Sequence, residues 1–128
     1  MSADLTHNLS NIARALGKLK QFAADDPQRE VERAGVIQAF EFSFELYWKT
    51  FKKIANDRGY QAGSPKTAVQ WAFQEGIIED DQLWLNMLED RNRSVHSYNE
   101  HTAQAIFENI CQGYIQAFET CLERLRVL

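Results

Sequence analysis

Residues 39–51 read AFEFSFELYWKTF, and the fold class turns on whether they form a strand or a helix. Phe40-Glu41-Phe42-Ser43-Phe44 alternates as a half-buried strand would. Helical periodicity resumes on both sides of it, however, and no turn signal bounds the run. The pattern therefore predicts one helix from about Gln28 to Arg58, stopped by Gly59 as a left-handed cap residue. Such a helix is on the order of 45 Å long at ~1.5 Å per residue. Phe40, Phe42, Phe44, Leu46, Tyr47, Trp48 and Phe51 cover more than one of its faces, and a helix apolar on several sides is buried on several sides. One face is expected to serve the core of the chain and the other to meet a partner, most simply a second copy.

Upstream, Leu5, Leu9, Ile12, Leu16, Leu19 and Ala23 recur at steps of four and three, which predicts a first helix over residues 4–24. Asp25-Asp26-Pro27 ends it, because proline cannot continue a helix and disfavours helical geometry in the residue before it. Downstream, Ser64-Pro65 supplies an N-cap and a proline at the first helical position. Ala68, Val69, Ala72 and Phe73 form the expected inner face of that third helix, and Gly76 closes it. A fourth helix starts near Asp80 or Asp81 and runs to Arg91 or beyond. Ser97-Tyr98-Asn99 reads as a break, with Asn99 capping a fifth helix whose stripe is Ala103, Ile106, Phe107, Ile110, Tyr114, Ala117, Phe118, Cys121, Leu122 and Leu125.

The sum is an all-α chain: an up-and-down bundle of four to five helices that dimerises through its long helices. Its 128 residues suit a single domain over 1–128 with a core that needs no staples. Six glycines and two prolines are few for a turn-rich all-β chain. No apolar run approaches a membrane span, and MSADLTHNLS has neither a basic nor an apolar leader region, so a cytoplasmic protein is expected. The net charge of −4 argues against broad, non-specific nucleic-acid binding but not against a local basic site. Cys111 and Cys121 lie ~15 Å apart along one helix, too far for a disulfide. Neither they nor the histidines cluster at metal-ligand spacing, so no metal and no cofactor is expected.

The chemistry concentrates in Glu89-Asp90-Arg91-Asn92-Arg93-Ser94-Val95-His96-Ser97-Tyr98. Along a fourth-helix seam of Trp84, Leu88, Arg91 and Val95, Arg91 falls where an apolar residue is due. A guanidinium there either pairs with an acid from a neighbouring helix and fixes packing, or faces a solvated site. His96 is five residues on, ~140° away on an unbroken helix, so the two converge only where the helix ends or bends near Ser94. Asn92 and His96, at i and i+4, share a face. The plainer reading of His96 is a histidine interacting with the last carbonyls of its helix. Lys49, Lys52 and Lys53 form a small basic stripe, ordinarily a solvated face and at best a guide for a polyanion.

Three segments carry a resemblance: residues 42–52, FSFELYWKTFK; Ser64-Pro65-Lys66 followed by residues 72–78, AFQEGII; and residues 84–92, WLNMLEDRN, continuing through His96-Ser97-Tyr98. In this order they resemble the nucleotidyltransferase substrate-binding protein family, a branch of the HEPN superfamily, over nearly the whole chain. The resemblance implies a helical bundle, a homodimer with facing RxxxxH segments, and metal-independent endoribonuclease activity. It points to HepT-type toxins, whose RxxxxHxY signature is filled here by Arg91, His96 and Tyr98. It also implies a partner: an MNT-type nucleotidyltransferase antitoxin that attaches AMP to the tyrosine. On this reading Arg91 and His96 are catalytic, Asn92 and Arg93 bind or position phosphate, Tyr98 is the AMP acceptor, and RNA, with tRNA among the candidates, is the substrate. The alternative the family offers is a non-catalytic subunit that presents a substrate to the nucleotidyltransferase.

Overall fold

The structure, a computed structural model, describes residues 3–96 and 99–128. Among them are helices α1 (Ala3–Ala24), α2 (Glu30–Asp57), α3 (Pro65–Gln74), α4 (Asp81–His96), α5 (Glu100–Asn109) and α6 (Ile115–Arg126), with a π-helical turn, Ile110–Tyr114, joining the last two into one rod. The described residues thus form five helical rods and no strand. The break expected at Ser97-Tyr98 lies outside the described residues, but Asn99 caps α5 as foreseen, its side chain accepting from the Thr102 N–H.

Residues 39–51 are helical throughout. Phe40, Phe44, Tyr47 and Phe51 stand at i, i+4, i+7 and i+11 and are fully buried, which is helical and not strand spacing. Ser43 and Thr50 share the buried side of α2 because each hydroxyl donates back to the carbonyl four residues earlier, Ala39 and Leu46, at 2.8 Å. That bond satisfies them locally. The aromatic core closes on Trp84 of α4 and on Tyr114 and Phe118 of the last rod. Tyr47 stacks on Phe118 with centroids 4.7 Å apart, and Trp84 meets both edge-on. The Tyr47 hydroxyl donates to the Phe118 carbonyl at 2.6 Å. Around this centre α1 packs on α2 and α6, and α3 packs on α2 and α4.

Both glycine stops work through the same hydrogen-bond pattern. Gly59 (φ 86°) and Gly76 (φ 75°) take the left-handed conformation. The following N–H groups of Tyr60 and Ile77 reach back to Ala55 and Ala72 carbonyls at 2.9 Å, the six-to-one bond of a Schellman cap.

Two expectations are corrected. Phe73 is not on the inner face of α3: it is exposed, and Trp71 is buried there instead with Ala68, Val69 and Ala72. The fifth helix is not one regular α-helix. Ile106, Ile110, Tyr114 and Phe118 are all buried at three successive steps of four. On an α-helix each such step drifts ~40° away from the core. The wider turn at Ile110–Tyr114 takes up that drift and keeps all four residues inward.

Candidate functional site

The buried line of α4 is Trp84, Met87, Asp90 and Ser94, not Trp84, Leu88, Arg91 and Val95. The helix is rotated from the expected phase because two polar residues find partners inside. Asp90, only 3% exposed, accepts from the Tyr114 hydroxyl at 2.6 Å, from Asn109 Nδ2 at 3.0 Å and from Arg93 Nη2 at 2.5 Å. A buried carboxylate is tolerable when its oxygens are this fully engaged. Burial, and then the hydrogen bond and charge of Asp90, push the Tyr114 phenol far above its ordinary range, so it remains a donor. The network ties α4 to the end of α5 and to the π turn.

Arg91 lies at the edge of the core facing α2, its side chain 22% exposed. Its Nη2 is 3.5 Å from Glu45 Oε2. Its Nε is buried and has no hydrogen-bond partner among the described residues. Of the two readings of Arg91 open in the sequence, the pairing with an acid of a neighbouring helix is present, but it leaves the guanidinium incompletely satisfied. One turn on, Ser94 Oγ lies 2.6 Å from Glu41 Oε2 and 2.9 Å from the Arg91 carbonyl. Glu41 and Glu45, at i and i+4 on α2, therefore line up against Ser94 and Arg91 on α4.

The remaining predicted residues spread around α4. Asn92 and His96 are exposed and share a face at i and i+4. Arg93 is directed to the opposite network, on Asp90. The helix continues unbroken to His96, so Arg91 and His96 stay ~140° apart. The bend that would have brought them together inside one chain is absent. Tyr98 lies outside the described residues. Lys49 belongs to the same surface as Arg91, 3.5 Å from the other oxygen of Glu45.

Apolar surface borders this site. Phe42 on α2 is 60% exposed and Val95 on α4 is 56% exposed. Beside Phe42 a groove of about 690 Å³ between α1 and α2 is lined by Phe22, Ala39 and Leu46, with Arg14 and Lys18 at its rim. The second apolar face expected of residues 40–51 thus exists, though narrower than expected: Phe42 is open, Leu46 half-buried, and the other aromatic side chains of that run are inside.

Sequence reasoning missed Asp90, Ser94, Glu41 and Glu45 as site residues. For the acids one signal was present: two carboxylates at i and i+4 inside an otherwise aromatic run. For Asp90 the signal was weaker, a charged residue three positions from Met87 on a helix whose facing rod carries Asn109 and Tyr114. Among the described residues no group of histidine, cysteine or acidic side chains is placed to hold a metal ion. No helix among them is long and apolar enough to cross a membrane.

Residues 7–127 match the family described as nucleotidyltransferase substrate binding protein like. A curated relative, the probable ribonuclease HepT of Haemophilus influenzae, is 32% identical over 98 residues, 73% of this chain and 66% of the relative. The match thus spans just under two thirds of that relative's length. A crystal structure from Thermus thermophilus superposes with a TM-score of 0.80 at 36% identity, covering 90% of this chain and 98% of the other. The tri-AMPylated Shewanella oneidensis HEPN toxin, in its complex with MNT antitoxin, superposes with a TM-score of 0.85 over the whole of both chains at 18% identity, a likeness of fold.

Proposed function

The chain belongs to the nucleotidyltransferase substrate binding protein like family, and from that premise we propose that it is a metal-independent endoribonuclease toxin held in check by a partner nucleotidyltransferase. In this role Arg91 binds the scissile phosphate, and His96 takes the proton from the 2′-hydroxyl. The freed oxygen attacks phosphorus, and the departing 5′-oxygen takes a proton from a second histidine, leaving a 2′,3′-cyclic phosphate. An imidazole can both take and give a proton, and arginine suits the phosphate. Asn92 and Arg93 position the RNA on either side.

The observation that carries this reading is the guanidinium of Arg91, kept at the edge of the core with an Nε that has no partner among the described residues, within an intact Arg91, His96, Tyr98 spacing. Because α4 runs unbroken to His96, one chain does not turn Arg91 and His96 to the same face. A homodimer supplies the second set, and the exposed Phe42 and Val95 beside Arg91 give it an apolar seam. The antitoxin is an MNT-type nucleotidyltransferase that transfers AMP to Tyr98. The added phosphate competes for Arg91 or Arg93 and repels the RNA backbone.

The test is RNA cleavage by the purified chain in excess EDTA, with Arg91→Ala and His96→Ala beside it. His96→Ala is expected to lose ~10²–10⁴-fold in rate, the usual contribution of a general acid or base, and Arg91→Ala about 10²–10³-fold, the scale of one lost donor to a developing charge; both are expected to relieve growth arrest in cells lacking the partner. Variants that keep their melting temperature and still cleave RNA refute the assignment. A second reading is favoured by the family's own description: a non-catalytic subunit that presents a substrate to the nucleotidyltransferase. It predicts a stable complex with that enzyme but neither cleavage nor growth arrest from the chain alone.

A further inference from the structure

The ion pair that meets Arg91 is loosely made. Nη2 stands 3.5 Å from Glu45 Oε2, longer than a well-formed charged hydrogen bond. Nε, on the same edge of the guanidinium, is buried without an acceptor among the described residues. A carboxylate seated as a fork would engage Nε and Nη2 together. Glu45 does not, and its other oxygen lies 3.5 Å from Lys49 Nζ. The carboxylate straddles two cations and is seated on neither. Its neighbour Glu41 is engaged by Ser94 at 2.6 Å, so of the two acids facing α4 only Glu45 is free to shift.

We infer that Glu45 is a positioning residue for Arg91: a movable carboxylate that draws the guanidinium to the α2 side of α4 and yields the Nε–Nη2 edge to a phosphate. Three features support this. The glutamate side chain is 36% exposed, so it has solvent to turn into. Lys49 follows it in the favourable i, i+4 order, so leaving Arg91 strands no charge. The buried Nε gains an acceptor only when an anion with two suitably spaced oxygens replaces Glu45, which relieves the cost of an unmade hydrogen bond. Glu45 therefore competes with the phosphate it helps to receive. Anions that offer a single oxygen do not repay its displacement. The inference rests on the nuclease reading for its natural ligand, an RNA phosphodiester, but the seat itself requires only a phosphate group.

The experiment follows the ¹⁵N–¹H signal of Arg91 Nε in the full chain during titration with inorganic phosphate, the signal being assigned by its loss in Arg91→Lys. Glu45→Gln, which keeps the shape, and Glu45→Ala are compared with the parent, and melting temperatures are read in parallel. Both variants are expected to bind phosphate roughly threefold to tenfold more tightly, the scale of a partly exposed charge pair released and a repulsion removed. That sign is opposite to the loss expected if Glu45 merely held the site together. Where cleavage is measurable, Glu45→Gln lowers KM and also lowers kcat. Phosphate binding by Glu45→Gln no tighter than that of the parent at an unchanged melting temperature overturns the inference, as does an Arg91 Nε signal that phosphate moves in neither protein. A positive phosphate result without any RNA cleavage refutes the nuclease reading and leaves the role of Glu45 standing.

Discussion

Removing the Asp90 carboxylate is expected to be among the most destabilising single changes on α4. Asp90→Ala deletes an acceptor that serves Tyr114, Asn109 and Arg93. Arg93 is half exposed and is resolvated at little cost. The Tyr114 hydroxyl is buried and is left without its acceptor, a penalty of roughly 1–3 kcal/mol. Adding the lost bond to a charged acceptor, itself worth about 1.5–3 kcal/mol, brings the total to about 2–4 kcal/mol. Tyr114→Phe keeps the ring stacked on Phe40 and removes one of three donors, for about 2 kcal/mol. At this chain length that corresponds to a fall of roughly 6–10 °C in melting temperature. Urea unfolding of the parent, both single variants and the double variant closes a thermodynamic cycle. The expected coupling is about 1.5–3 kcal/mol. A coupling under about 0.5 kcal/mol, within the usual additivity error, would show that the carboxylate and phenol do not stabilise one another and that α4 is held in phase by its apolar residues alone.

A charge placed on the exposed Phe42, as in Phe42→Glu, is expected to leave the melting temperature of the monomer nearly unchanged while dissociating the proposed homodimer, which sedimentation velocity at micromolar concentration reads directly. Tyr98→Phe is expected to gain no AMP from the nucleotidyltransferase and ATP by intact mass and to stay active in their presence; AMP on that variant places the acceptor elsewhere. Burial raises the phenols of Tyr47 and Tyr114 in the folded chain above their unfolded value of about 10. The folded state therefore binds more protons than the unfolded one above that pH. Stability is full below pH ~10 and falls as pH rises beyond it, by up to ~1.4 kcal/mol per unit for each phenol. Tyr114→Phe flattens that decline, measured by urea midpoints from pH ~9 to ~11, the range that brackets the unfolded phenol.

The helices were legible because their ends are written locally. Ser64-Pro65, Gly59, Gly76 and Asn99 act on backbone groups within a few residues, so their effect does not depend on what packs nearby. The long second helix was legible for a related reason: Phe40, Phe44, Tyr47 and Phe51 repeat at a spacing that only a helix buries together. The expected phase of α4 was wrong because it assumed that the buried line is apolar. Met87 and Asp90 are inside, while Leu88 and Arg91 are at the edge, and nothing within α4 itself decides between the two phases.

By itself, the sequence determined that the chain is helical, roughly where each helix starts and stops, and that Arg91, His96 and Tyr98 stand at one spacing in a matching order of motifs. Tertiary structure decided what the described side chains among them face. A carboxylate is buried only where donors meet it, and those for Asp90 include Asn109 and Tyr114 on another rod, the latter turned inward by a π turn that balances three steps of four. The guanidinium of Arg91 is half-satisfied because Glu45, on a helix far earlier in the chain, stops short of a full fork. Such placements depend on distances between elements remote in sequence, and no local pattern of residues encodes those distances.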